Sequence, residues 1–121
     1  MSWTDDELER IGRAEELRLR SVRSDGTLRP SVTIWVVRVG GGLFIRSGGG
    51  PQNAWYRRAR KSGAARIDAG GITADVALEP FYDPDDAVGG AYRSKYERRG
   101  PYLVGLLTSA DARATTLRLV T

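Results

Sequence analysis

The sequence has no cysteine, no histidine and a single methionine. Without cysteine there can be no disulfide, no thiolate metal ligand and no cysteine nucleophile. Without histidine the usual general base and the commonest metal ligand are both missing, so no metal site is expected. Any catalysis must then rest on Tyr, Asp, Glu, Lys, Ser or a borrowed cofactor. No apolar run is long enough to span a bilayer, and the acidic opening "MSWTDDELER" does not read as a secretory leader. A cytoplasmic protein with no membrane partner is the expectation. Acidic residues are scarce in one stretch. Between residues 17 and 61, ten Arg or Lys stand against Asp25 alone, a local charge of +9 inside a chain of net charge +4. Such a block suits nucleic acid or a small molecule bearing phosphate or carboxylate. Arginine outnumbers lysine 17 to 2, which fits phosphate recognition and equally a coding bias.

At 121 residues one domain is expected over 1–121, with residues 1–16 as an N-terminal helical extension. Thr4 and Glu7 form a T-x-x-E capping box flanked by Trp3 and Leu8, and Asp5 and Asp6 suit the first turn. Leu17, Leu19 and Ser21 alternate with Arg18, Arg20 and Val22, the pattern of a half-exposed strand. "SDGT", residues 24–27, is a turn. "SVTIWVVRV", residues 31–39, reads as one central strand, because it is rich in β-branched residues. Gly40, Gly41 and Gly42 turn it into a strand over 43–47. Asn53 is placed to cap a short helix in which Trp55 and Ala59 share a face.

Residues 64–69 and 72–79 flank the two-residue turn Gly70–Gly71. Asp83 reads as the cap of a further helix, with Pro84 at its first position and Asp85 and Asp86 in its first turn. Along that helix Val88, Tyr92 and Tyr96 make an i, i+4, i+8 stripe. "YLVGLLT" (102–108) and "TTLRLV" (115–120) read as the last two strands. The acidic pairs Asp5–Asp6 and Asp85–Asp86 are explained by helix N-termini, and Trp35 and Phe44 are assigned to the core. The fold class is α+β: a small barrel of about six to seven mostly antiparallel strands with two to three short helices.

The stretch "LFIRSGGGPQNAWYRRARKSG", residues 43–63, concentrates the candidate chemistry. Glycine after a strand lets backbone N–H groups approach an anion, and the helix opened by Asn53 presents a positive dipole end. Arg46, at the end of the strand feeding Gly48, Gly49 and Gly50, is the residue expected to fork onto that anion. The alternative is a flexible hairpin beside a solvated arginine face.

The run "WVVRVGGGLFIRSGGGPQNAWYRRAR" resembles the segment of the deazaflavin-dependent nitroreductases in which a strand ends in a Ser-Lys-Gly-Gly-like loop followed by Pro, Ala-Trp-Tyr and a helix. A bacterial family of unknown function related to those enzymes is more similar still, sharing "TLRP", "TIWVVRV", "AWYRRA" and "AYRSKY". The resemblance implies a split β-barrel that binds FMN or a deazaflavin, as a homodimer with cofactor between subunits. It places Arg46 and Ser47 on cofactor phosphate, together with Gly48, Gly49, Trp55 and Arg58, and Arg29 as the basic residue of the first hairpin. Arg58 stands where the relatives often carry asparagine. Tyr92 and Tyr96 match late catalytic tyrosines, against a reading as packed side chains with wet hydroxyls. The function implied is an oxidoreductase passing a hydride between cofactor and a small organic substrate. The alternative is a barrel without a redox cofactor that binds another anionic or aromatic small molecule, as a non-redox enzyme or carrier. Nucleic acid ranks last as partner, because no recognition helix or RNA-binding motif is present.

Overall fold

The computed structural model describes residues 2–121. Helix α1 spans Asp5–Arg13 and opens with the full reciprocal capping box between Thr4 and Glu7. Strand β1 is Leu17–Ser21, β2 Val32–Ile34, β3 Val36–Val39 and β4 Gly42–Ile45. Helix α2 (Ala54–Ser62) precedes the hairpin of β5 (Ala64–Ala69) and β6 (Ile72–Pro80). Helix α3 (Ala87–Tyr96) runs through a 3-10 turn at Glu97–Arg99 into α4 (Pro101–Thr108) and α5 (Ala110–Arg113). Strand β7 is Leu117–Val120.

All pairings are antiparallel, in the order β2-β1-β5-β6-β7-β4-β3. The two outermost strands are therefore consecutive in the chain, separated by Trp35 alone, and the sheet curls into a nearly closed split barrel. This corrects the reading of 31–39 as a single central strand. The run is apolar on both faces for a different reason. Ile34 and Val36 face the barrel interior with Leu17, Leu19, Leu43, Ile45 and Ile67, while Val37 and Phe44 face outward under α3.

Helix α1 contributes Leu8 and Ile11 to the interior, and α2 contributes Tyr56 and Ala59. Trp3 locks the chain's start to its last strand, its indole N–H donating to the Leu119 carbonyl at 2.9 Å. Outside the barrel, Val88, Tyr92 and Tyr96 of α3 and Leu107 of α4 form a second core against Val37 and Phe44.

Three local readings are corrected. Residues 102–108 are helix, not strand. Pro101 stands at the first helical position behind Gly100 (φ 95), and Leu107 packs inward. Asp83 does cap α3, its carboxylate accepting from the Ala87 and Val88 amides at 2.9 and 2.8 Å. Pro84 and Asp85, however, lie in a turn before the helix, and Asp86 holds a left-handed backbone (φ 51). Asn53 precedes α2 without a side-chain capping bond, and the residues that α2 buries are Tyr56 and Ala59.

A candidate anion-binding groove between the first hairpin and helix α2

After β1 the chain turns through a tight hairpin. Val22 bridges Leu28, Gly26 adopts φ 88, and Asp25 accepts from the Thr27 amide at 3.0 Å and the Thr27 hydroxyl at 2.6 Å. Arg20 Nε donates to the Arg29 carbonyl at 3.0 Å and Arg23 to that of Leu28 at 3.0 Å, which fixes the returning strand. Helix α2 is tied to this hairpin by Ser62, whose hydroxyl donates to the Val22 carbonyl at 2.7 Å. Between them lies a groove of about 370 Å³ lined by Val22, Arg23, Ser24, Arg29, Arg58, Lys61, Ser62 and Ala64. Arg29 and Arg58 are also walls of an adjoining recess of about 20 Å³ that reaches Leu19, Val32 and Trp55.

Neither lining includes a carboxylate. Four cations thus converge on one cleft, with Asp25 acting on Arg23 from outside the lining, the charge pattern of an anion site. The structure brings together Arg29, Trp55 and Arg58 of the residues singled out from sequence. Lys61, whose charge beside the glycine loop was read from sequence, also lines the groove, while Arg23, Ser24 and Ser62 complete the lining and were not foreseen. The signal for the cations was the charge excess over 17–61 and the i, i+3 spacing of Arg58 and Lys61, which puts both on one side of a helix.

The other candidates lie elsewhere. Arg46, 1 % exposed, is enclosed by its own chain. Its Nη2 lies 2.9 Å from Asp86 Oδ1 and 3.5 Å from Asp83 Oδ2. Nε donates to Thr116 Oγ1 at 2.8 Å and Nη1 to the Leu107 carbonyl at 3.1 Å. The guanidinium therefore answers two carboxylates of the chain rather than a ligand. Burial pushes the Asp86 carboxyl up, but the hydrogen bond and charge of Arg46, with Arg113 and Arg93 nearby, hold it below the ordinary range. Ser47 is also sealed. Its hydroxyl donates to the Gly50 carbonyl at 2.8 Å and its amide to Thr115 Oγ1 at 2.8 Å.

The triple-glycine loop is a packed corner rather than an open cradle. A Cβ on Gly48 would stand 3.6 Å from Leu106, one on Gly49 would meet the Asn53 amide at 2.7 Å, and Gly50 (φ 79) abuts Asp111. Tyr92 donates its hydroxyl to the Trp35 carbonyl at 2.8 Å, and Tyr96 bonds to Glu15 and Val36 carbonyls at 2.8 and 3.2 Å. Both rings are fully buried, and burial raises both phenols above their ordinary range. Neither hydroxyl opens on a cavity, so the stripe fastens α3 to the segment around Trp35.

A family model for DUF2255, an uncharacterised protein conserved in bacteria, matches residues 7–119. The chain belongs to that family. This agrees with the resemblance read from "AWYRRA" and "AYRSKY", and within DUF2255 the second motif now has a place: it forms the face of α3 that carries Tyr92, Lys95 and Tyr96. No curated protein matches in sequence.

Solved structures share the fold. The heme storage protein HutZ from Vibrio cholerae superposes with a TM-score of 0.64 at 16% identity, covering 99% of this chain and 90% of its own. A putative pyridoxamine 5'-phosphate oxidase from Listeria innocua gives 0.60 at 13% identity, with 96% and 90% covered. An F420 reductase gives 0.54 at 19% identity, with 92% and 87% covered. At these identities the likeness establishes the split barrel. Among the described residues no helix is long and apolar enough to cross a membrane.

Proposed function

We propose that the groove between the 22–29 hairpin and α2 holds the phosphate end of FMN or a deazaflavin, and that the chain is an oxidoreductase acting on a small organic substrate. The observation that carries this reading is the convergence of Arg23, Arg29, Arg58 and Lys61 on one cleft free of carboxylates. Neighbours of the same fold described as an F420 reductase and a putative pyridoxamine 5'-phosphate oxidase support it. The residues fit a phosphate: three guanidiniums and an ammonium on the walls, with hydroxyls of Ser24 and Ser62 beside them. They do not enclose a ring, since the recess at Trp55 measures only about 20 Å³. A ring system would lie over the groove's mouth, where a second copy of the chain can cover it, and we extend the proposal to a homodimer.

The bound cofactor supplies the hydride chemistry. The chain's own residues fix the phosphate, set the ring's approach and, with Trp55, offer an aromatic neighbour. Titrating the protein into FMN, and separately into a deazaflavin, while following fluorescence tests this. One of the two should show saturable quenching. Arg58→Ala should weaken it about ten- to hundredfold, the loss of one charge-assisted contact of roughly 1.5–3 kcal/mol, with the melting temperature unchanged. No quenching with either, or equal affinity in Arg58→Ala, removes the reading.

One observation favours a second reading. The groove's ionisable lining is entirely Arg and Lys, and Tyr92 and Tyr96 are sealed elsewhere, so the groove offers no carboxyl or phenol to protonate a reduced substrate and leaves that role to Lys61 alone. A barrel that carries an anionic or aromatic small molecule without redox chemistry meets that description. Thermal stabilisation by inorganic phosphate or aromatic carboxylates, with none by flavins or deazaflavins, would establish it.

A further inference from the structure

The arginines of this chain are sorted by place. Those of α1, β3, β5, α3, the 97–99 turn and α5, together with Arg46, each lie within ion-pair distance of an Asp or Glu. Among the described residues, those of β1, the 22–29 hairpin and α2 have no such partner, and neither does Lys61; elsewhere Arg118 and Lys95 share that condition. A coding bias toward arginine would scatter paired and unpaired side chains alike. Here the unpaired ones fall on adjoining elements, since α2 packs on β1 and Ser62 ties α2 to the hairpin. Like charges this close repel unless a polyanion neutralises them.

We propose that this face binds single-stranded nucleic acid without regard to sequence. The groove uses Arg23, Arg29, Arg58 and Lys61, whereas Arg57 and Arg60 line neither it nor its recess. One small anion therefore leaves cations over, and a chain of phosphates does not. A track exists for such a chain. A second depression, of about 650 Å³ on the far side of the hairpin, meets the groove at Val22 and Ala64, and its walls carry Arg20 and the Arg66–Asp75 ion pair. Trp55, half-buried beside Arg29 and Arg58, is the aromatic side chain nearest these cations for an unstacked base. A lipid surface is disfavoured. Helix α2 turns its apolar residues Tyr56 and Ala59 inward, and the large exposed aromatics, Tyr82 and Tyr102, belong to other segments. A duplex is disfavoured because no helix projects to enter a groove.

The test is fluorescence anisotropy of labelled oligothymidylate with the full chain, between about 50 and 200 mM salt. Binding is expected at the lower concentration. Log affinity should fall with log salt with a slope of about −3 to −5, at roughly 0.7 per phosphate neutralised. The double variant Arg57→Gln/Arg60→Gln should flatten that slope by about 1.4 and leave flavin or deazaflavin quenching as it was. Arg93→Gln/Arg98→Gln removes the same charge from paired arginines and should change the slope little. Absence of binding at about 50 mM salt, equal losses in the two double variants, or equal affinity for polyglutamate or duplex DNA would each overturn the proposal. Should the first variant fail to fold, the slope of the unaltered chain and the polyglutamate comparison still decide.

Discussion

The guanidinium of Arg46 is surrounded by two carboxylates, a hydroxyl and a carbonyl, and stacks 5.8 Å from the Tyr92 ring. Removing one member of a buried ion cluster strands the other charges, which costs about 3–5 kcal/mol. Arg46→Ala is therefore expected to lower the urea midpoint sharply while the Arg58→Ala midpoint stays close to that of the unaltered chain. Restoring the midpoint by combining Arg46→Met with Asp86→Asn would show that the stranded charge, rather than lost volume, is responsible. The sequence marked Arg46 as special but not for what. Its two partners lie 37 and 40 positions away, beyond any local pattern, whereas the glycines at 48, 49 and 50 suggested a ligand. Arg29 and Arg58 were singled out through the resemblance, and the charge excess around them is a local property that a sequence displays directly.

Helix α3 shows how much an element depends on one carboxylate. Asp86 holds Arg46 from a left-handed backbone, and a Cβ at Gly89 would collide with its carboxyl group. A Cβ at Gly90 meets nothing within 4 Å. Gly89→Ala is expected to destabilise by about 1–3 kcal/mol. Gly90→Ala should stabilise by up to about 1 kcal/mol through the unfolded chain's lost freedom, and Gly105→Ala in α4, equally unobstructed, should behave likewise. Thermal melts of the three variants decide it. The elements themselves were read unevenly. The capping box of α1 and the Gly70–Gly71 hairpin depend on neighbours in sequence and were readable. The run 102–108 was not, because a short apolar stretch has no period that separates a helix from a strand. The break at Trp35 was hidden for a similar reason: apolar cover on both faces erases the alternation that marks a strand's end.

At the scale of the molecule, the joint between α1 and β1 is held by one end of α3. Lys95 Nζ donates to the Ala14 and Val36 carbonyls at 2.6 Å each, Tyr96 bonds to that of Glu15, and Arg98 and Arg99 pair with the Glu15 carboxylate. Burial lowers the Lys95 ammonium to about 8, against the Glu15 charge that favours it. Between that value and the ordinary lysine range, the unfolded chain keeps a proton that the folded chain has released. Lys95 therefore makes stability rise as pH rises above 8. The raised phenols of Tyr92 and Tyr96 act oppositely above about pH 10, where the unfolded chain ionises first. Urea midpoints should climb from pH 8 toward 10 and then fall, and Lys95→Met should flatten the climb.

Strand β7 lies between β6 and β4, and its residues 117–120 pair with both. During synthesis, then, β4 and β6 must each wait with an open edge until the last strand emerges, since nothing earlier in the chain fills the gap between them. Until then the nascent chain presents two unsatisfied templates for strand addition. The risk of misassembly persists until residues 117–120 have emerged, and a ribosome stalled shortly before residue 117 would hold a barrel that cannot close.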